Sequence, residues 1–272
     1  MTLQEIRSLV ASREWFHSID LGNGIVTPGS CTPDYLKFFM QQVRFPDRFE
    51  RLRVLDIGAY DGFFSFEAER RGAAHVTAID VNPIDCRCMK IAHEVLESRV
   101  EYHHMSVYNL DPGVIGTFDV VFFFGVYYHL RYPLLALDQI WNVVRPGGYV
   151  LVETHVIDKQ FVLADGSTTD LESIDPRLTE IPLYRFYRLN ELNPVDYSNW
   201  FGGNIEAIRQ GLLSAGFEPE VLTSWKNGTA SRAAFRARRK EGRQEFRIQT
   251  YEGTDFDYAP DGSWRVNWYT HQ

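Results

Sequence analysis

The sequence predicts a single α/β domain built around one mostly parallel β-sheet. Short apolar runs that end at a glycine or an acid alternate with segments of helical period from residue 51 to residue 157. Strands and helices that alternate at this spacing are typical of βαβ units with right-handed crossovers. No internal repeat or low-complexity linker interrupts the 272 residues, a length that suits one large α/β domain.

We divide this single domain into four parts by their sequence patterns. Residues 1–50 are expected to form an N-terminal helical cap, and residues 51–157 the sheet core. Residues 158–202 hold several prolines and an aromatic-rich run, so they are expected to form an insert. Residues 203–272 are expected to supply a closing helix, closing strands and a β-rich tail.

The first half of the core is expected to be strand, helix, strand. Residues 54–57 are an apolar run that ends at Gly58, as a buried parallel strand would. A helix over residues 63–71 is expected to stop at Gly72. A second buried strand over residues 75–80 ends in an acid.

The second half of the core continues the alternation. Pro83 is expected to open a helix that runs to about residue 98. A short strand over residues 100–103 and a strongly apolar strand over residues 118–124 follow. The last core elements are a helix over 134–144, its stop signal at 145–148, and a fifth strand over 149–153.

Beyond the insert, the pattern predicts elements that close the sheet. A helix over residues 204–215 is expected to end at Gly216, followed by an antiparallel strand pair over residues 220–224 and 232–238. The β-rich tail is expected from five aromatic residues, Tyr251, Tyr258, Trp264, Trp268 and Tyr269.

The composition and net charge argue against some classes of binding partner. Hydrophobic residues make up 44% and charged residues 24%, which is ordinary globular usage, and the formal net charge is −8. Because non-specific nucleic-acid binding depends on phosphate neutralisation by Lys and Arg, this balance argues mildly against it. The chain has no apolar stretch of the ~20 residues that a membrane span needs, and its N-terminus lacks a signal-peptide core. We therefore expect a cytoplasmic protein that does not bind a membrane.

Cysteine usage gives no sign of a metal centre. Three cysteines suit a reducing compartment. Cys86 and Cys88, followed by His103 and His104, could suggest a metal site, but C-x-C on a predicted helix is poor ligand geometry. We expect structural thiols and no metal.

A glycine-rich turn over residues 58–62 joins the first strand to the first helix. Glycines there let the backbone approach a ligand closely, and the helix N-terminus presents free N–H groups. Asp56 lies in the strand, where it can orient a ligand amine, and Asp80 is placed to accept both hydroxyls of a ribose. The spacing is G-x-x-x-G with Tyr60 in the middle, unlike the G-x-G-x-x-G of NAD enzymes. The alternative is a tight turn with a solvent-facing acid.

Four motifs in order resemble those of the class I methyltransferases that use S-adenosylmethionine (SAM). They lie at residues 54–62, 78–80, 118–121 and 144–153, and the resemblance covers residues 53 to about 155. It implies a Rossmann-like fold, SAM as cofactor and S-adenosylhomocysteine (SAH) as product. By this resemblance the cofactor is expected to contact Asp56, Gly58, Ala59, Tyr60, Gly62, Asp80, Val81, Ser106, Val107, Gly125 and Tyr128.

A narrower resemblance is to methyltransferases related to the bacterial enzyme that forms 5-oxyacetate on the tRNA wobble uridine. It rests on residues 15–22, 27–29, 125–129 and 199–200, and it spans most of residues 15–238. The group includes tailoring enzymes that act on small molecules.

The same resemblance requires a choice between SAM and carboxy-SAM as the donor of the transferred group. The carboxymethyl branch uses carboxy-SAM and holds its extra carboxylate with a basic residue upstream of the first strand. Lys37 and Arg44 are the loose candidates for that residue here. Neither matches well, so plain SAM is favoured over carboxy-SAM.

Two histidines are candidates for a catalytic base. Ligands of open α/β sheets lie beyond the C-terminal strand ends, where His129 follows the fourth strand and His155 the fifth. An unperturbed histidine titrates near neutrality and can take the proton of a hydroxyl acceptor. The alternative for each is a hydrogen-bonded loop histidine. Tyr127 or Tyr128 could face the sulfonium through a cation–π contact, or belong to the core.

The insert is expected to cover the acceptor pocket, unless it packs as a lid without touching the acceptor. Candidate acceptor residues in the insert are Tyr184, Arg185, Tyr187, Asn199 and Trp200. Trp15 and His17 are expected to close the pocket from the N-terminal side.

A basic run near the C-terminus is the local exception to the acidic balance. Clustered arginines could meet phosphates, but interrupting acids and an alternating apolar pattern favour a solvated strand edge. The run consists of Arg232, Arg236, Arg238, Arg239, Lys240, Arg243 and Arg247.

These observations favour methyl transfer to an oxygen of a small molecule in a biosynthetic or tailoring pathway. Modification of the tRNA wobble uridine is the main alternative. An NAD-linked oxidoreductase and a SAM-binding module without catalysis are weaker ones. No Asp/Asn-Pro-Pro-Tyr/Phe motif follows the fourth strand, where residues 125–129 stand instead, which argues against amino-methylation of nucleic acid.

Overall fold

The fold is described from a computed structural model of the chain. It describes residues 1–163, 165–188, 191–193, 196–228, 230–241, 256–258 and 264–266. Part of the predicted tail and of the basic run lies outside these residues, namely Tyr251, Trp268, Tyr269, Arg243 and Arg247.

Eight α-helices are present in the described ranges. They are α1 (Leu3–Ala11), α2 (Pro33–Gln42), α3 (Phe63–Arg70), α4 (Met89–Val95), α5 (Pro112–Ile115), α6 (Pro133–Val143), α7 (Leu171–Ile174) and α8 (Ile205–Ser214). Side-chain caps define several of their starts, because Thr2, Thr32 and Asn204 each accept a hydrogen bond from a first-turn backbone N–H.

Thirteen β-strands are described. They are β1 (Arg53–Ile57), β2 (His75–Asp80), β3 (Glu101–His104), β4 (Phe118–Phe124), β5 (Val144–Val156), β6 (Phe161–Val162), β7 (Thr168–Thr169), β8 (Tyr184–Phe186), β9 (Phe201–Gly203), β10 (Phe217–Asn227), β11 (Ala230–Arg239), β12 (Phe256–Tyr258) and β13 (Trp264–Val266).

The main sheet has the order β10-β11-β5-β4-β1-β2-β3. Strands β5, β4, β1, β2 and β3 are parallel neighbours, and β11 is antiparallel to both β5 and β10. This confirms the predicted Rossmann-like, mostly parallel sheet with an antiparallel closing strand. The carboxyl ends of β1, β2, β4 and β5 therefore meet at one edge, where ligands of this architecture bind.

Both faces of the sheet are buried, which explains why its central strands read as continuous apolar runs. On one face, Val54, Phe122 and Leu151 pack with the N-terminal cap and α3. On the other, Leu55 and Val121 pack with α6 and α8. Successive residues of each strand thus serve two separate cores.

Two core elements differ from the prediction. The helix expected from Pro83 begins at Met89, because residues 82–88 form a loop in which the Cys88 thiol donates to Glu14 O at 3.1 Å. The fifth strand begins at Val144, directly after α6. Residues 145–148, which were expected to separate the helix from the strand, belong to the strand itself, and Gly147 has a φ of 79° there.

The part of the basic run that lies in β11 does not form a solvated strand edge, and that expectation was wrong for it. Strand β11 lies between β5 and β10, so its backbone is paired on both sides. The exposure of its described members changes along the strand. Arg232 is largely buried, whereas Arg238 is exposed.

The insert is closed at its base. Strands β8 and β9 pair with each other, and Gly203 of β9 pairs with Val156 at the end of β5. Ile157 N also donates to Gly203 O at 3.1 Å. The chain therefore leaves the sheet and returns to it at neighbouring points. Of the described helices, none has the length and apolar character to cross a bilayer.

Candidate active site

The glycine turn, residues 58–62, follows β1 at the carboxyl edge of the sheet. Three of its five residues have positive φ: Gly58 at 72°, Tyr60 at 56° and Gly62 at 89°. This conformation costs a residue with a Cβ roughly 1–2 kcal/mol, so other contacts must hold Tyr60 there. The backbone N–H groups of Gly58 and Ala59 both donate to Ile79 O, at 2.9 and 3.1 Å. The turn is thus fixed to the end of β2.

Asp56 lies in β1, just before the turn, and is 3% exposed. Its Oδ2 accepts a hydrogen bond of 2.6 Å from the Ser65 hydroxyl of α3. Burial raises the pKa of Asp56 to about 6, although the Ser65 hydrogen bond and nearby His17 partly oppose this. A buried carboxylate that no described cation pairs with through a salt bridge is suited to meet a cationic ligand group.

Asp80 ends β2 beside the turn. Its Oδ2 accepts from Tyr60 N at 3.0 Å, and its Oδ1 accepts from the backbone and side-chain nitrogens of Asn82, both at 2.9 Å. The Oδ2 atom keeps an acceptor position for a ligand hydroxyl. The geometry fits the ribose role expected for Asp80, and the first of these bonds helps to hold Tyr60 in its unusual conformation.

The residues expected to contact the cofactor near its adenine differ in exposure. Val81 is 65% exposed, while Val107 is buried. The Ser106 hydroxyl accepts from Tyr108 N at 3.3 Å and so caps a short 3₁₀ turn. Val81 follows β2, and Ser106 and Val107 follow its parallel neighbour β3.

Gly125 and Tyr128 follow β4 and face a buried ion pair. Arg232 of β11 donates to Glu153 of β5 through Nε and, at 2.7 Å, through Nη2. Its guanidinium carbon lies 5.0 Å from the centre of the Tyr128 ring. Burial alone would lower the pKa of Arg232, but Glu153 and Tyr128 raise it. A Cβ built on Gly125 would lie 3.9 Å from Arg232 Nη2.

His155 is buried in β5 rather than placed on an open rim. Its Nε2 is 2.9 Å from the Tyr187 hydroxyl of the insert, and its ring centre is 6.1 Å from that of Tyr128. Burial, and then the charge of Arg232, lower the pKa of His155 to about 4. Its Nδ1 is buried and has no hydrogen-bond partner among the described residues. A buried ring nitrogen without a partner is unusual in folded proteins and marks His155 as a candidate to bond a ligand hydroxyl.

His129 holds the insert. Its Nδ1 is 2.8 Å from the Ser198 hydroxyl and 3.6 Å from an oxygen of Asp196. Burial lowers the pKa of His129, against the opposing effect of Asp196. The two candidate bases therefore differ: His129 contacts polar groups of the insert, whereas the buried Nδ1 of His155 has no hydrogen-bond partner in the part of the chain that the structure describes.

The other insert candidates contact one another and the edge of the sheet. Arg185 Nη1 donates to Val162 O and its Nη2 donates to Glu191, both at 2.7 Å. Trp200 N donates to Tyr128 O at 3.0 Å, and Tyr187 N donates to Trp200 O at 3.0 Å. These bonds run from the end of β4 across the insert to His155.

Two of the predicted acceptor residues have structural partners instead. The Tyr184 hydroxyl contacts that of Tyr127 at 3.2 Å, on the α8 side of the sheet. Asn199 is buried and its Nδ2 donates to Asp196 O at 2.9 Å.

The cap supplies Trp15 and His17, but His17 does not point into an acceptor pocket. Its Nδ1 donates to Asp61 of the glycine turn, and its ring stacks on Phe63 with a centre distance of 5.5 Å. Trp15 Nε1 donates to Val10 O at 3.1 Å. A cavity of about 510 Å³ lies between the cap and the turn, lined by Arg13, Glu14, Trp15, Phe16, Pro28, Ser30 and Tyr60.

Sequence reasoning missed three residues of this edge: Asp61, Glu153 and Arg232. Asp61 was visible as an acid inside the turn, but its partners lie in the cap. Glu153 ends the predicted fifth strand, and an acid within an apolar strand was the available signal. Lys37 and Arg44 are not at the site, since both are exposed and Arg44 pairs with Glu220 at 2.7 Å.

Known proteins resemble this chain in sequence and in fold. A family model described as a methyltransferase domain matches residues 34–193. Two curated relatives, from Azotobacter vinelandii and Shewanella piezotolerans, are both named tRNA U34 carboxymethyltransferase. Each is 34% identical over 166 residues, covering 61% and 60% of this chain but 45% and 43% of the relatives. The chain thus spans less than half the length of these relatives.

Solved structures share the fold. The N-terminal domain of EvdMO1, crystallised in the presence of SAH and D-fucose, has a TM-score of 0.61 and 20% identity, over 88% of this chain and 98% of that one. A SAM-dependent methyltransferase from Mesorhizobium loti has a TM-score of 0.55 and 14% identity, over 73% and 96%.

Proposed function

This chain belongs to the family of SAM-dependent methyltransferases, whose domain it matches over residues 34–193, and we propose that its acceptor is the wobble uridine of tRNA. The observation that carries this proposal is the set of curated relatives, named tRNA U34 carboxymethyltransferase. They favour this acceptor over the small molecule expected first from the sequence. An oxyacetate on uridine is joined through oxygen, so both acceptors share transfer to oxygen.

The cofactor site of the proposal is the edge formed by Asp56, the glycine turn and Asp80. Asp56 faces the cofactor amine and Asp80 the ribose hydroxyls. Bound SAM supplies a carbon activated for in-line displacement by its sulfonium. The protein contributes mainly proximity and orientation to such a transfer.

The acceptor hydroxyl is proposed to meet His155. Its uncommitted Nδ1 can accept the hydrogen bond of a hydroxyl as that oxygen attacks. Tyr187 fixes the ring through Nε2, and Trp200 ties Tyr187 to Tyr128 at the end of β4. These contacts orient an oxygen nucleophile toward the donor.

The outer rim of this site suits an unpaired base. Arg131 lies over the Trp200 ring with its guanidinium carbon 4.8 Å from the ring centre. Tyr132 and Tyr197 are each 62% exposed nearby in the chain. Proteins bind splayed-out RNA bases by stacking them on aromatic rings and guanidinium planes.

The position of Arg232 bears on whether the donor is SAM or carboxy-SAM. It is the buried cation described at this edge, so a carboxylate on the transferred carbon would meet it and its partner Glu153. Plain SAM needs no such cation. Both donors therefore belong in the assay.

A small-molecule hydroxyl is the second candidate acceptor. It is favoured by the net charge of −8 and by the pairing of Arg44, Arg185 and Arg232 with acids, which leaves fewer cations for phosphates.

The test is label transfer from SAM or carboxy-SAM, each labelled on the transferred carbon. One set of tubes holds bulk bacterial tRNA and the other a small-metabolite extract, with Asp80→Ala as the control for cofactor-dependent transfer. Label in wobble uridine after nucleoside digestion is the expected result. Label in the metabolite fraction alone would replace the proposed acceptor with the second candidate.

A further inference from the structure

The N-terminal cap makes an unusual contact with the glycine turn. Asp61, the fourth residue of the turn, is 1% exposed. Its Oδ2 accepts from Phe16 N at 3.0 Å and His17 N at 2.8 Å, while its Oδ1 accepts from His17 Nδ1. Within the described residues, the three donors to this carboxylate come from two consecutive residues of the cap. A buried carboxylate without donors is costly, so each side of the contact depends on the other.

The cap segment that carries these donors, residues 15–31, is itself rigidly built. The Thr27 hydroxyl accepts from Ile19 N and donates to His17 O, both at 2.7 Å. Cys31 N donates to Phe16 O at 2.7 Å. A Cβ on Gly29 would lie 2.1 Å from the carbonyl carbon of His17, so only glycine allows this close approach. His17 is thus presented by a preformed loop.

The turn needs such external support. Gly58, Tyr60 and Gly62 all have positive φ, and Asp61 stands between the last two. One neighbour of Asp61 is held by Asp80 through Tyr60 N. The other, Gly62, is the N-cap of α3, where no side chain caps the helix. Asp61 is therefore the point at which the cap can fix the second half of the turn.

We propose that His17 and Asp61 form a latch through which the cap segment holds the glycine turn in its cofactor-binding conformation. His17 is a positioning residue: it acts through Asp61 and touches neither cofactor nor acceptor. Loss of the latch is expected to weaken cofactor binding while leaving the rate at saturating cofactor unchanged. The inference rests on the proposed use of the turn as the cofactor site.

The test compares His17→Leu with His17→Asn in the full chain. Leucine fills the space but has no donor, whereas the asparagine amide nitrogen can stand where Nδ1 stands. His93→Leu is the matched control, because His93 is partly buried and its Nε2 bonds a backbone oxygen, Val100 O, at 3.0 Å. Calorimetry gives the Kd for SAH, and steady-state assays give KM for SAM and kcat.

We expect His17→Leu to raise the SAH Kd and the SAM KM at least tenfold, with kcat within twofold of the unaltered protein. His17→Asn and His93→Leu should each stay within about threefold in Kd. A His17→Leu protein that binds SAH normally, or a His17→Asn protein as weak as His17→Leu, would overturn the latch. Should His17→Leu not fold, His17→Gln against His17→Asn makes the same comparison, because the longer side chain places its amide near the Nε2 position.

A second readout separates this inference from the proposed function. Amide hydrogen exchange at residues 58–62 of the cofactor-free protein should be faster in His17→Leu than in His93→Leu. If the unaltered protein fails to bind SAH, the proposed function fails, and exchange alone then decides the latch. Equal exchange rates at residues 58–62 in the two variants would contradict the latch.

Discussion

We expect Asp56 to make cofactor binding sensitive to pH. Because its pKa is raised to about 6, it is mostly ionised at pH 7.5 and mostly protonated at pH 5. The ionised form is the one proposed to attract the cofactor amine, so affinity should be present above pH 6 and lost as the pH falls through it. By linkage the loss is on the order of tenfold by about pH 5.

Calorimetry with SAH between about pH 5 and 8 measures this dependence, and Asp56→Asn should bind weakly with a flat profile over the same range. The cofactor-free protein should respond in the opposite sense. Its folded state holds the Asp56 proton more tightly than the unfolded chain, so this group adds stability as the pH falls below 6. Affinity independent of pH in the unaltered protein would mean that Asp56 does not meet the amine.

Substitution of His155 and substitution of His129 should have different effects on the kinetics. We expect His155→Leu to lower kcat by about 10²-fold, as the loss of a group that receives a hydroxyl proton typically does. His129→Leu should raise KM for the acceptor more than it lowers kcat, because His129 contacts Ser198 of the insert. Steady-state kinetics with both variants measures the difference, with the SAH Kd as the control for an intact cofactor site.

Since the pKa of His155 is about 4, no limb of the kcat profile between about pH 5.5 and 8 should belong to it. A larger kcat loss in His129→Leu than in His155→Leu would reverse the two roles.

Single residues were predictable from the sequence where their partners are local. Asp56 and Asp80 stand at strand ends next to the turn, so spacing alone indicated them. Asp61 was not predictable, because its donors lie 45 and 44 residues earlier in the chain. Arg232 looked like one member of a basic run until β11 brought its side chain into hydrogen-bond contact with Glu153 of β5.

At the scale of elements, the insert strand β9 depends on a glycine. A Cβ at Gly202 would lie 2.8 Å from His155 Cδ2 and 2.9 Å from its Nε2. We expect Gly202→Ala to destabilise the protein by about 1–3 kcal/mol, since neither the buried ring nor the strand has room to move. Urea denaturation measures the change in the free energy of unfolding.

Gly211→Ala is the control for this prediction. Gly211 lies within α8, and its added Cβ would meet Tyr127 Oη at 3.4 Å and carbons at 3.6 and 3.7 Å, which is ordinary contact. Alanine is favoured over glycine in a helix by roughly 0.5–1 kcal/mol, so this change should be neutral or stabilising. Equal effects at both positions would show that His155 does not pack against β9 in this way.

Elements with a strong apolar period were predicted well and irregular ones were not. Strands β1, β2 and β4 fall where the sequence indicated, because burial on both faces demands uninterrupted apolar residues. Helix α4 starts six residues after Pro83, since proline permits a helix start without requiring one. The short strands of the insert carry no period long enough to read.

At the scale of the whole molecule, charge sets the expected mode of tRNA binding. The chain is acidic and several of its cations are paired with acids, so it should neutralise few phosphates. With about two phosphates neutralised on a single strand, raising salt from about 50 to about 200 mM should weaken binding only about sevenfold. Filter binding of tRNA across this range measures the slope.

A stacked base would account for the rest of the affinity, and Trp200→Ala should then weaken binding at every salt concentration by a similar factor. Glu180→Ala, a change at an exposed acid of the insert, serves as the control. A loss of 10³-fold or more over the same salt range would point to an extended basic surface instead.

The overall arrangement was predictable to the extent that it follows from βαβ alternation. The parallel sheet, its antiparallel closure and the placement of the turn at the carboxyl edge follow from that alternation and from the helix and strand signals after the insert. The docking of the cap on the turn and the path of the insert did not follow, because both depend on side-chain hydrogen bonds between distant parts of the chain.

The closed base of the insert has a consequence for how such proteins diversify. Val156 and Gly203 are paired, so the chain departs and returns within one strand spacing. A segment of another length or sequence could be grafted between these two points without moving the sheet, and the closure entropy grows only slowly with its length. The candidate cofactor residues from 56 to 128 precede this junction, whereas most acceptor candidates lie within it. Selection could therefore exchange the acceptor while inheriting the donor site unaltered.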